Sequence, residues 1–403
     1  MVAGELAGAW NRGRLRSNNE RLLLDQLRAV GPTSRAQLAR DTGLSKPTVS
    51  HALAALEDRG LVRPAGRVAA ERGRTALLYE PDPTAGYVLG IDIGRARLRA
   101  ALADLSGEIL ARTDVPNRER TATGVADAAA HAAEQALELA GIPAERVIHA
   151  AVGTPGVFDP GDDRVRLAAN LPGWGRAGLF ARIRERLGEP ELSVHNDANL
   201  AALGEYDHGA GQGSLLFVYV LIGTGLGVGI VSRGELFTGA HGAAGEVGFL
   251  PASITTPREN AADEHADTSR RGQLEQAVSA DAVVRAARER GLTGRLTAKR
   301  VFDEARAGHP AAIGAVHQEG ERIARVVAAI SAVLDPDTIV LGGGVGHGAD
   351  LLLDPVREVL RHTTPLRPLV LASELGDDAV LLGALTTALR VARPRVFERR
   401  TGG

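Results

Sequence analysis

Tyr87 to Ile91 form an apolar run that enters Asp92, Ile93 and Gly94, and this junction limits what the chain beyond it can become. A strand that ends on a carboxylate and a glycine turn predicts an α/β layer, with backbone N–H groups able to close around an anion. The next residues, Arg95-Ala96-Arg97, put guanidinium side chains where such a cradle wants small ones. Arg95 leaves little room for a nucleotide phosphate, although a guanidinium can itself pair with one as a bidentate donor. The loop reads as a phosphate site that has lost its shape.

Beyond this junction strands alternate with helices, the signature of an α/β architecture. Val88 to Ile93, Leu98 to Asp104 and Ile109 to Thr113 are expected strands, the last two joined by Ser106-Gly107-Glu108. Leu215 to Ile222, Val228 to Ser232 and Glu235 to Phe237 repeat the plan, with Arg233-Gly234-Glu235 as the matching turn. The repetition points either to an internal duplication, giving two lobes of one ancestral fold, or to two glycine-rich meanders alike by chance. Ala311 to Leu334 and Ala379 to Val391 are expected scaffold helices, and Thr338 to Leu341 a strand between them. Ala261 to Arg271 is polar and unpatterned and is expected to form a surface loop.

The first eighty residues follow a different period. Asn18 to Val30 carries Leu22, Leu23, Leu27 and Val30 at helical spacing and stops at Gly31-Pro32. Ser34-Arg35-Ala36-Gln37 reads as a capping box, with Leu38 and Ala39 facing inward and Thr42-Gly43 closing the helix. Ser45 caps a third helix with Pro47 in its first turn and Val49, Leu53 and Leu56 as its buried stripe. A helix-turn-helix results, whose third helix would offer Lys46, Thr48, Ser50 and His51 to a major groove. Leu61 to Arg63 and Ala76 to Tyr79 read as a wing, its tip carrying Arg67, Arg72 and Arg74. On this reading Lys46, Thr48, Ser50 and Arg74 make specific contacts, while Arg63, Arg67 and Arg72 meet the DNA backbone. Trihelical units of this kind also serve as protein-interaction modules. Pro81-Asp82-Pro83 is expected to be a short stiff linker.

Charge follows the same division. The chain of 403 residues has a net charge of −2, yet residues 1–80 hold 13 Lys and Arg against 8 Asp and Glu. The remainder holds 34 against 41. A basic head on an acidic body suits one module that meets phosphate and one that does not. The absence of cysteine excludes disulfides, thiolate zinc sites and a cysteine nucleophile. No apolar run reaches the roughly 20 residues of a membrane helix, and the expected location is the cytoplasm.

Several loop motifs carry candidate chemistry. Val194-His195-Asn196-Asp197-Ala198-Asn199 ends a strand and opens a helix to His208; its carboxylate could take a proton from a polyol hydroxyl, or Asp197 could simply cap the helix. Ile222-Gly223-Thr224-Gly225-Leu226-Gly227 could wrap phosphate through its backbone. With these stand Gly153-Thr154-Pro155-Gly156, Asn170-Leu171-Pro172-Gly173-Trp174, Gly245-Glu246-Val247-Gly248 and Leu341-Gly342-Gly343-Gly344.

Their order along the chain resembles the ROK family of repressors, open reading frames and sugar kinases, and the resemblance spans nearly the whole chain. It implies a winged helix-turn-helix at residues 1–80, then a two-lobed actin-like (ribonuclease H-like) sugar kinase fold at residues 87–403. It further implies a DNA-binding regulator of sugar metabolism, a repressor acting as a dimer or tetramer on a double-stranded operator and answering to a small carbohydrate. By the family's motifs, Asn170, Asn196, Asp197, Glu246 and Glu275 match sugar contacts, and Asp197 stands where the kinases keep their base. Asp92 and Gly94 match the first phosphate loop, Gly223, Thr224 and Gly225 the second, and Gly343 and Gly344 the region near adenosine.

Three departures from the family's pattern matter. Arg95-Ala96 replaces the Gly-Thr of the first phosphate loop, Phe249 replaces a histidine that in relatives ligates zinc and touches sugar, and the cysteine cluster is missing, with Gln273 at one cysteine position and His265 the one plausible ligand nearby. A structural zinc site wants about four N or S ligands, so zinc is predicted absent. Phosphoryl transfer rests on positioning and charge stabilisation, so catalysis is expected to be lost, with residual kinase activity through Asp197 as the alternative. The wing's Gly-Arg is followed by Thr75 where the family commonly has Pro.

Overall fold

The computed structural model describes residues 12–69, 75–167, 171, 173–251 and 272–402. In the head, helices Arg12–Val30, Arg35–Thr42 and Lys46–Asp58 pack on an antiparallel sheet of Thr33–Ser34, Thr75–Pro81 and Val62–Ala69. Local chemistry sets the helix ends. Ser34 Oγ accepts from the Gln37 amide at 3.2 Å, and Ser45 Oγ accepts from the Thr48 amide at 3.3 Å. The capping box is only half made, because the Gln37 side-chain oxygen accepts from the Arg40 guanidinium rather than from the Ser34 backbone amide. Gly43, at φ 69°, closes the second helix in the left-handed conformation. Val49, Leu53 and Leu56 are fully buried with Leu23, Leu27 and Leu38, whereas Leu22 and Val30 face solvent and Leu24 takes the inner place.

The body holds two five-stranded sheets. In the first, Tyr87–Ile93 lies between Arg97–Asp104 and Val147–Thr154, with Ile109–Pro116 and Glu191–Asn196 at the edges. In the second, Leu216–Ile222 lies between Leu226–Ser232 and Thr338–Gly342, with Glu235–Leu236 and Leu369–Ala372 at the edges. In each, the first strand of the set is central, an antiparallel hairpin extends to one side, and two parallel strands extend to the other. Identical strand order in two lobes favours duplication over chance likeness. Ala122–Ala140 and Leu179–Arg186 cover the outer face of the first sheet, and Ala280–Glu289 and Pro310–Leu334 help bury the second.

Two helices join the parts. Asp197–His208 and the C-terminal helix Ala379–Thr401 run together between the lobes. Gly204 and Gly383 let their backbones touch: a Cβ at Gly204 would sit 2.3 Å from the Ala379 carbonyl, and one at Gly383 1.8 Å from that of Leu200. The C-terminal helix then reaches the head, where Val396 and Phe397 share a core with Leu61, Val62, Tyr79, Ala85 and Leu105. Arg400 donates to the carbonyls of Arg59 (2.8 Å), Gly60 (2.7 Å) and Ala85 (2.5 Å), just past the end of the third helix. Pro81-Asp82-Pro83 is thus not a free spacer. It leads into a single 3-10 turn, Pro83–Ala85, capped by Asp82, whose Ala85 is buried in this core. Among the described residues, no helix is long and apolar enough to cross a membrane.

Candidate functional site

The strand Glu191–Asn196 and the helix Asp197–His208 meet without an intervening loop, so Asn196 and Asp197 are aimed by two rigid elements. Asn196, not Asp197, is the N-cap. Its Oδ1 accepts from the amides of Ala198 (2.9 Å) and Asn199 (3.2 Å), and its Nδ2 donates to the Gly156 carbonyl at 3.1 Å. Asp197 Oδ1 accepts from the Ala198 amide at 2.9 Å. The Thr-Pro-Gly and Gly-Trp motifs are tied together beneath, where buried Trp174 donates through Nε1 to Thr154 Oγ1 at 2.6 Å.

These residues open onto a cleft of about 210 Å³ between the lobes. Asn196, Asp197, Glu246 and Glu275 line one part of it; Gly223, Thr224, Gly225, Gly343 and Gly344 line the other. Phe249 and Leu167 lie at its wall, Leu167 in a left-handed conformation at φ 61° that sequence reasoning had no means to single out. Asn170 lies outside the described residues, as do His265, Arg72 and Arg74. Burial pushes Asp197 up to about 6, and the Glu246 carboxylate adds to the shift. Burial also raises Glu246, with Glu275 contributing. A carboxylic acid poised near neutrality can accept or share the proton of a sugar hydroxyl.

Asp92 and Gly94 are not among the residues that line this cleft, and the charge around them differs from the one expected. Gly94 to Arg97 form a tight turn, the Gly94 amide donating to the Arg97 carbonyl at 3.0 Å. Arg95 sits exposed at its tip, beside Asn117 and Arg120, and Arg97 pairs with Asp114 at 2.5 Å. The side chain that meets Asp92 is Arg99, which sequence reasoning passed over. Its Nη1 donates to Asp92 Oδ2 at 3.0 Å, and it lies 3.5 Å from Asp114 and 3.4 Å from Asp377. Strand register was the missed signal: Asp92 and Arg99 are direct cross-strand partners. Burial raises Asp92 to about 7, with Arg99 opposing the shift. Arg95 thus stands at the exposed tip of the turn, while the cation that meets Asp92 is Arg99 on the next strand.

The second loop is a tight glycine turn. The Gly223 amide donates to the Gly225 carbonyl at 2.9 Å. Gly343 is at φ 77°, and a Cβ there would lie 2.6 Å from the Ile222 carbonyl. At the expected zinc position Phe249 offers no lone pair, and among the described residues no group of three or more His, Asp or Glu is placed to hold a metal. A larger hollow of about 340 Å³ lies at the head–body junction around Arg28, Arg63, Glu80 and Arg393, away from every loop of the cleft.

On the head, Lys46 and His51 are exposed along the third helix and Ser50 is half-buried. Thr48 Oγ1 is 2.8 Å from Ser45 Oγ and so is engaged in the cap. Arg67 is exposed on the wing strand. Arg63 is paired across the wing with Glu80 at 2.8 Å, which makes it a strand-ladder residue first.

Comparison with known proteins agrees with this layout. The ROK family model matches residues 88–391, and the model of bacterial regulatory proteins of the arsR family matches residues 19–63. The glucokinase of Thermotoga maritima is 31% identical over 78% of this chain and 98% of its own length. The xylose repressor of Caldicellulosiruptor bescii is 25% identical over 94% of this chain and 97% of its own length. In fold, a solved ROK family transcriptional regulator described as a homolog of the E. coli MLC protein superposes with a TM-score of 0.75 at 23% identity, covering 96% of this chain and all of that one. With a helix-turn-helix head fused to the duplicated sheets and loops of a sugar-kinase body, the chain belongs to the ROK family.

Proposed function

We propose that this protein is a transcriptional repressor of carbohydrate-metabolism genes, and that a small carbohydrate in the interlobe cleft alters its grip on a double-stranded operator. The observation that carries the reading is the Arg99–Asp92 pair. A kinase of this plan needs the first loop's carboxylate available to the nucleotide's phosphates and their metal, and here a buried guanidinium already satisfies it. The sugar half, by contrast, keeps Asn196, Asp197, Glu246 and Glu275 around one cleft. Similarity over almost full length to a xylose repressor supports the same assignment.

The cleft and the head communicate through equilibrium, so a sugar acts only by its differential affinity for two lobe arrangements. A coupling of about 1–3 kcal/mol corresponds to roughly 5- to 150-fold in operator affinity. The protein acts in the cytoplasm as a homodimer, each head reading half of a partly palindromic site. It carries no structural zinc, and elemental analysis of the purified chain is expected to find less than stoichiometric metal.

The deciding experiment titrates upstream promoter DNA by fluorescence anisotropy, with and without D-xylose, D-glucose and their phosphates. Operator binding that at least one sugar changes 5-fold or more is the expected result. Binding indifferent to every sugar, or no duplex recognised, would overturn the reading. A second reading is active phosphorylation, favoured by Asp197, whose acidity near 6 suits a general base. It requires ATP-dependent turnover of glucose that Asp197→Ala abolishes.

A further inference from the structure

Near the effector residues the first sheet carries polar side chains that the cleft itself does not use. Glu191, Ser193 and His195 alternate along one face of the edge strand that ends at Asn196, and His149 stands on the adjacent strand. His195 Nε2 is 3.0 Å from Ser193 Oγ, which is 2.9 Å from His149 Nε2. On the far side, His149 Nδ1 faces Glu191 Oε2 at 3.8 Å, and Glu191 Oε1 pairs with Arg395 Nη2 at 2.5 Å. Arg395 belongs to the C-terminal helix, five residues before the Arg400 that holds the end of the head's third helix.

Proton bookkeeping gives the chain of contacts one direction. Burial, together with His149, pushes His195 down to about 4, and burial lowers His149, so both imidazoles are neutral at neutral pH. A neutral imidazole carries one N–H, and the serine hydroxyl has one hydrogen to give. If His195 Nε2–H donates to Ser193 and Ser193 donates to His149 Nε2, the His149 proton must sit on Nδ1, facing Glu191. The reverse order would set a bare Nδ1 lone pair against a carboxylate. Only the first arrangement is electrostatically coherent.

We propose that His195, Ser193, His149, Glu191 and Arg395 form a directed polar line that carries the position of Asn196 and Asp197 to the C-terminal helix and, through Arg400, to the DNA-binding head. The inference rests on the effector reading of the cleft. Its moving part is the one contact left open: His149 Nδ1 and Glu191 Oε2 are both buried and lack any hydrogen-bond partner, a gap of 3.8 Å that closes with a shift of about 1 Å. The edge strand is bonded to a neighbour on one side only, so displacement of its Asn196 end by a ligand is transmitted along it to Glu191. Pro394 removes an internal helix bond immediately before Arg395, where the C-terminal helix bends most easily.

The test compares Ser193→Ala, Arg395→Gln and the conservative Ser193→Thr with the wild-type full chain. Sugar affinity is measured by calorimetry with D-xylose and D-glucose, and operator affinity by anisotropy with and without saturating sugar. Both disrupting variants are expected to bind sugar and operator separately within about threefold of wild type, yet to lose most of the 5- to 150-fold sugar effect on operator binding. Ser193→Thr should retain it. An undiminished sugar effect in folded Ser193→Ala and Arg395→Gln overturns the polar line while leaving the repressor reading intact. A wild type with no sugar effect overturns both. Should the variants fail to fold, 15N spectra of the wild-type histidines still decide: His149 protonated on Nδ1 and His195 on Nε2 are required, and any other pair of tautomers refutes the line.

Discussion

Arg99 faces Asp92 across two neighbouring antiparallel strands, and its Nη1 donates to the carboxylate at 3.0 Å. Removing one partner of a buried pair strands the other, at a cost of about 3–5 kcal/mol. Asp92 already holds its proton up to about pH 7, against an ordinary value of 3.8. Because the folded state binds that proton more tightly than the unfolded chain, stability from this group is full below pH about 4 and is lost as pH rises toward 7. Arg99→Ala should therefore destabilise the protein by about 3 kcal/mol at pH 8 and clearly less at pH 5. Urea denaturation at the two pH values checks this; an equal loss at both would show that Asp92 stays ionised.

Asp197 presents the same sign for a different reason, since its elevation to about 6 comes from burial and the nearby Glu246. Asp197→Asn keeps an oxygen for the Ala198 amide and removes the buried charge. The unliganded variant is expected to gain about 1–3 kcal/mol at pH 8, with the gain shrinking by pH 5, and to lose sugar binding. Thermal melts with and without sugar measure both effects.

Gly60 turns at φ 64°, and a Cβ there would lie 2.8 Å from Arg400 Nη1. Gly60→Ala should cost about 1–2 kcal/mol through left-handed strain and the displaced guanidinium. Arg400→Met should go further and separate the head's unfolding from the body's. Calorimetry would then show two transitions in place of one.

Lys46 is exposed at the start of the third helix and, among the described residues, is bonded to no carboxylate. If it neutralises a DNA phosphate, Lys46→Ala should weaken operator binding and reduce the magnitude of the log–log salt slope by about 0.9. An unchanged slope with lowered affinity would instead assign Lys46 to a base edge.

The head was legible because its information is local. Ser34, Gly43, Ser45 and Pro47 each act within a few residues of themselves, so the turn and both caps could be read directly, and only the return contact of Gln37 was lost to a competing partner, Arg40. The duplicated sheets were half legible: both hairpins and their glycine turns showed in the sequence, while the parallel strands that complete the match needed coordinates. Arg99 was hidden because strand register, not the composition of the loop, brings it to Asp92. Arg400 could not be seen at all, since its partners lie near the other end of the chain and carbonyl acceptors leave no trace in side-chain pattern.

The bare α-carbons of Gly204 and Gly383 have a reach well beyond the few ångströms they free. One of the two helices they clasp begins at Asp197, and the other finishes beneath the third helix of the head. Clasped this closely, the pair is held in one fixed relation as far as Pro394, and one added methyl at the crossing would displace Asp197 and the start of the C-terminal helix together while touching neither.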